Sequence, residues 1–113
     1  MSPDKIAKVC HQVNKAACEA YGDHSQVDWD DAPEWQREAA LHGVNDCIMG
    51  VLSSESLHNS WMHKKIEDGW KWGPIKNPAA KEHPDLVPYE QLPVSAKLKD
   101  YLFKEIVQTL KDM

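Results

Sequence analysis

Apolar residues recur at helical spacing in four stretches of the chain. Ile6, Val9, Cys10, Val13, Ala17 and Ala20 fall on one helix face. Ser2, Pro3 and Asp4 ahead of them supply an N-cap, a first-turn proline and a first-turn acid, and Gly22 stands past the end. The polar connection "GDHSQVDWDDAP" leads to a second stripe of Trp35, Ala39, Ala40, Val44, Ile48 and Val51. Asp31, with Glu34 three residues on and Pro33 between them, has the form of a capping box, so the second helix is expected to start there. It runs to about Leu52, weakened by Gly43 and Gly50. Ser53 or Ser54 caps a third helix carrying Leu57, Trp61 and Ile66, with Gly69 as its stop. Ser95 opens a fourth with Leu98, Leu102, Ile106 and Leu110.

The stretch "GWKWGPIKNPAAKEHPDLVPYEQLP" interrupts this pattern and holds too many prolines for a helix. In an extended chain Trp70 and Trp72 share one face and Lys71 takes the other. Gly73, able to adopt positive φ, and Pro74 then turn the chain, and "LVPY" offers a second short strand. The expected fold is α+β and mainly helical: antiparallel helices with a few short strands. It forms one domain over 1–113, made of a helical half over 1–52 and a second half over 53–113. No low-complexity tract or internal repeat stands out.

With 42% hydrophobic and 27% charged residues in 113, the chain has the composition of a globular domain rather than a disordered one. No run of about 18 apolar residues is present to span a membrane. The opening "MSPDKIAKVC" lacks the layout of a signal peptide, so a cytoplasmic location is expected. Cys10, Cys18 and Cys47 fit reduced, buried thiols. A net charge of −5 argues against long nucleic acids as partners. The charge is uneven, however. Residues 22–60 hold eight acids against Arg37 alone, whereas residues 61–84 hold five lysines against Glu67, Asp68 and Glu82. The second region offers a small anion local cationic help.

Phosphate-loop, dinucleotide-loop, nucleophile-elbow and zinc-helix motifs are all missing, and no Cys/His spacing suits a metal. "DWDDAPE" shares only its acids with a calcium loop. Neither catalysis nor a cofactor has positive support. What stands out is five tryptophans against one phenylalanine. Trp35, inside an apolar stripe, reads as core. Trp61 shares a helix face with Lys65, and Trp72 borders a glycine turn, so both can pair an indole with a nearby charge. A ligand made of a base and a phosphate needs that pairing.

From Ser54 to Leu110 the order of motifs resembles the repeat domain named after ryanodine receptors. Trp61 with Lys65 is followed by "GWKWGP", then "HPDLVPY", then the helix "KDYLFKEIVQTL". The residues ahead of them are similar to what short prokaryotic and phage members carry. The resemblance implies the α+β helical module above, no catalysis, and a binding role. In channels the role is toward adenine nucleotides, and in prokaryotic defence it is sensing or sequestering nucleotide-derived signals. The expected ligand is thus a small nucleotide: an adenine nucleotide, an ADP-ribose-like species or a cyclic nucleotide. Trp61 would stack the base, Lys64 and Lys65 would meet phosphate or ribose, and Trp72, His83 and Asp85 would line the wall. The alternative is a protein-interaction or oligomerisation module using an aromatic patch. Channel repeats come in pairs around a cleft, and this chain shows one clear copy. The second wall must come from the N-terminal half or from another subunit, and a homodimer with the site near its interface is expected.

Overall fold

A computed structural model describes residues 1–50 and 53–113. Val51 and Leu52, the expected end of the second helix, lie outside the described residues. The first helix, α1 (Pro3–Ala20), starts at the Ser2 cap, whose hydroxyl accepts the Lys5 N–H at 3.4 Å. It stops in a Schellman turn. Gly22, at φ 87°, donates to Glu19 C=O at 2.9 Å, and Asp23 N–H reaches Cys18 C=O at 2.9 Å.

The expected capping box does not form. Ala32 precedes a proline, which forces extended backbone (φ −70°, ψ 142°), so the helix cannot begin before Pro33. Asp31 instead closes a short 3-10 turn, Trp29–Asp31, and α2 spans Glu34–Ile48. The same device opens the last helix. Leu92 before Pro93 is extended, a 3-10 turn covers Tyr89–Gln91, and α4 (Val94–Leu110) begins one residue ahead of Ser95. "LVPY" therefore feeds this turn and is not a strand.

The third helix, α3 (Ser54–Glu67), is capped by Ser53, whose hydroxyl accepts the Ser56 N–H at 2.9 Å. β1 (Lys71–Trp72) pairs in parallel with β2 (Glu82–His83), Lys71 opposite Glu82 and Trp72 opposite His83. Gly73 does not have positive φ; its place is fixed by packing. A Cβ there would stand 2.7 Å from Glu82 Cβ, so only glycine lets the strands approach. Lys81 takes the left-handed conformation at φ 54°, and its ammonium donates to Asp68 C=O at 2.7 Å, tying the loop to the end of α3.

The architecture is α+β and mainly helical. Ile6, Ala7, Cys10, Val44, Cys47, Leu57 and Val107 form the core, with Trp29, Phe103 and Ile106 packed on it. The three cysteines are free and buried; burial pushes the Cys10 thiol up to about 12 and the Cys47 thiol to about 11, so neither is nucleophilic. Among the described residues, no helix is long and apolar enough to cross a membrane. Two expected core positions are surface instead: Trp35 is 45% exposed and Ile66 59%. Neither belongs to the cluster that Ile6, Val44, Leu57 and Val107 close.

Candidate functional site

The site is assembled by a helix cap. At the end of α3, Gly69 (φ 90°) donates to Ile66 C=O at 3.0 Å and Trp70 N–H to Lys65 C=O at 2.9 Å, a second Schellman turn. Such a turn brings the residue after the glycine against the helix residue five before it. Here those are Trp70 and Lys65, and the Lys65 ammonium lies 4.4 Å from the Trp70 ring centroid. Trp35 of α2 covers the other side at 4.7 Å, its ring 5.8 Å from Trp70. Lys65 is 8% exposed, and burial lowers its pKa to about 8, Asp68 opposing the shift and Lys76 adding to it.

From Trp70 the rings continue without a break. His83 lies 6.4 Å from Trp70 and meets Trp61 edge-on at 5.0 Å. Trp61 is 5.6 Å from His58, which is 6.1 Å from Tyr89, and Lys97 lies 4.9 Å from the Tyr89 centroid. His83 Nδ1 accepts the Asp85 N–H at 3.0 Å, so the neutral ring carries its proton on Nε2. Desolvation lowers its pKa to about 4, with Lys76, Lys65, Lys99 and His58 adding to the effect. His83 is therefore a neutral hydrogen-bond donor at physiological pH, held between two indoles.

Residues 46–113 match the RyR domain family, more than half of the chain. The chain belongs to this family. The match begins inside α2, so α1 and Trp35 lie ahead of the matched RyR segment.

Charged side chains of the RyR domain act on His83. Lys76 and Lys99 both act on His83 and on Asp23. Desolvation by surrounding protein lowers the Lys76 pKa although the residue is exposed, and Asp23, Cys18 and Asp85 oppose that shift while Lys99 adds to it. The Asp100 carboxyl is pushed up to about 7 by burial and by repulsion from Asp85, with Lys99 opposing. Among the described residues, none of Lys65, Lys76 and Lys99 has a carboxylate within 4.0 Å. Among the described residues these three lysines are thus without ion-pair partners.

Of the six residues named from sequence, Trp61, Lys65, His83 and Asp85 come together. Lys64 instead pairs with Asp68 at 3.5 Å along α3. Trp72, in β1, is 56% exposed and stands outside the run of rings, while Trp70, just ahead of β1, is 8% exposed, so the two tryptophans do not share an environment. Sequence reasoning missed Trp35, His58, Tyr89, Lys76, Lys99 and Asp100 as members. Only His58 carried a usable signal, three residues before Trp61 on one helix. Two open surface hollows lie elsewhere. One of about 560 Å³ runs along α1 over Met1, Lys5, Val9, Val13 and Ala16, and one of about 380 Å³ is lined by Asp4, Trp29, Glu34, Arg37, Glu38 and Leu41.

Proposed function

We propose that this RyR domain is a non-catalytic module that senses or sequesters a small nucleotide-type ligand, of the adenine nucleotide, ADP-ribose-like or cyclic nucleotide class. The observation that supports it is the His83 ring packed between Trp61 and Trp70, with the Lys65 ammonium seated on Trp70. A flat base gains from an indole, and a phosphate gains from cations that have no carboxylate to release first. The His83 Nε2–H suits a phosphate or sugar oxygen, and Asp85 suits a ribose hydroxyl.

Titration calorimetry with ADP, ADP-ribose and cyclic AMP tests this. At least one should bind, and Trp61→Ala should lower its affinity by about tenfold or more, the worth of one stacked base, while the domain stays folded. Equal affinity in the variant and the parent overturns the role given to Trp61. Binding should weaken moderately with salt, because the stacked base is insensitive to screening. The second reading, a protein-interaction module, is favoured by the apolar floor of the α1 hollow. Under that reading all three compounds leave the melting temperature unchanged.

A further inference from the structure

We propose that the first fifty residues are a diverged second copy of the unit formed by α3, the Tyr89 turn and α4, and that this copy supplies the other wall of the aromatic site within the same chain, through Trp35. The wall assignment rests on the nucleotide reading above; the duplication stands on geometry alone.

Shifting residue numbers by sixty superimposes the two helix entries. Val27, Trp29, Ala32 and Pro33 correspond to Val87, Tyr89, Leu92 and Pro93. Ala32 and Leu92 are both buried and share backbone angles, φ −70° with ψ 142° and φ −69° with ψ 141°. The turn bonds repeat as well: Ala32 N–H donates to Trp29 C=O at 3.2 Å, and Leu92 N–H to Tyr89 C=O at 3.0 Å. In each unit a buried histidine from the preceding helix donates from Nε2 to the matching valine carbonyl, His11 to Val27 at 2.6 Å and His58 to Val87 at 2.7 Å. Each histidine also packs on the aromatic of its own turn, His11 on Trp29 at 5.6 Å and His58 on Tyr89 at 6.1 Å. Arg37 and Lys97 follow eight residues after those aromatics, and the buried Cys47 and Val107 also correspond.

One contact bears on how the units are related. Gly43 and Phe103 are equivalent positions, and they touch each other. Equivalent residues meet at the axis of a two-fold pair, and this is the contact that a pseudo-dyad between α2 and α4 would make. The histidine and the valine lie sixteen positions apart in the first unit and twenty-nine in the second. The thirteen-residue difference accommodates β1, β2 and His83.

Pseudo-symmetry also pairs the site residues with positions of the other unit. The equivalents of Trp35, Lys65 and Trp61 are Ser95, Cys18 and Asn14, which offer neither ring nor cation. The aromatic cluster, where Trp35 of the first unit closes on Lys65 and Trp70 of the second, therefore has no counterpart on the other side of the pair among the described residues. No second subunit is needed to complete it, in contrast to the dimeric site expected from the sequence.

Two measurements on the full chain decide this. An isotope-filtered NOE experiment on a mixture of labelled and unlabelled protein needs no ligand. Contacts between the Trp35 and Trp70 indoles should arise within one chain, and contacts between chains overturn the proposal. In the second, ADP titrated into the chain should bind once to each 12.9 kDa particle measured by light scattering. Trp35→Ala should lower ADP affinity about tenfold with unchanged circular dichroism. Binding by a dimer alone, or parental affinity in the variant, overturns the wall role. If ADP fails to bind the parent, the nucleotide reading falls, and the NOE result still settles where Trp35 packs.

Discussion

A Cβ on Gly43 of α2 would lie 3.0 Å from Phe103 Cζ of α4, so the two helices cross with a ring seated on bare backbone. Glycine inside a helix ordinarily costs about 1 kcal/mol against alanine. Here Gly43→Ala should nevertheless destabilise, because overpacking against a ring costs about 1 to 3 kcal/mol. A melting temperature a few degrees below the parent is expected, with recovery in the double variant Gly43→Ala, Phe103→Leu. A single variant that melts higher would show that the ring simply moves aside.

Gly73→Ala should be costlier, since the atom met at 2.7 Å is a Cβ fixed to the β2 backbone. A loss of about 2 to 3 kcal/mol in urea unfolding is expected. The coupling energy with Glu82→Gly should be favourable, because that change removes the atom in the way. Additive effects of the two substitutions would show that the strands do not make this approach.

Trp70 and Trp72 should separate cleanly. Trp70→Ala removes a ring that packs on Lys65, Trp35 and His83 and is expected to cost on the order of 3 to 5 kcal/mol. Trp72→Ala, at an exposed position, should stay within about 0.5 kcal/mol of the parent. Equal losses in the two variants contradict the burial assigned to them.

The pH dependence carries two opposing contributions. His83 has a folded pKa of about 4, below its ordinary 6.5, so the unfolded chain binds the extra proton and stability falls as pH drops from 6.5 toward 4. Asp100 has a folded pKa of about 7, above its ordinary 3.8, so the folded chain holds the extra proton and stability falls as pH rises from 3.8 toward 7. In the parent the two slopes largely offset each other. Relative to the parent, Asp100→Asn should gain stability as pH rises through this window and His83→Gln should lose it. Parallel curves for all three proteins, followed by denaturant midpoints, would reject both assignments.

Much of the fold was written locally. The Ser2 and Ser53 caps and the stops at Gly22 and Gly69 depend on groups within a few residues of each other, so spacing revealed them. The expectation that Trp61, Lys65, His83 and Asp85 lie together rested on the motif order, and the RyR match over residues 46–113 bears out the family resemblance behind that order. The start of α2 was misread because Asp31 and Glu34 satisfied a local rule that the proline between them overrides.

What the chain's own order could not reveal depends on residues far apart in sequence. Lys65 is lysine-like by composition, yet two indoles, one of them thirty positions earlier, strip its water and make it a buried cation. The duplication left almost no identical residues because it is preserved as a carbonyl acceptor, a 3-10 turn and a buried small or branched side chain, which many residue types can supply. Local sequence determined where each helix starts and stops, since caps and pre-proline sterics act over a few bonds. Tertiary structure decided which residues share a site, because desolvation and ring packing depend on what a second segment places alongside, and only the folded chain brings α2 against α3.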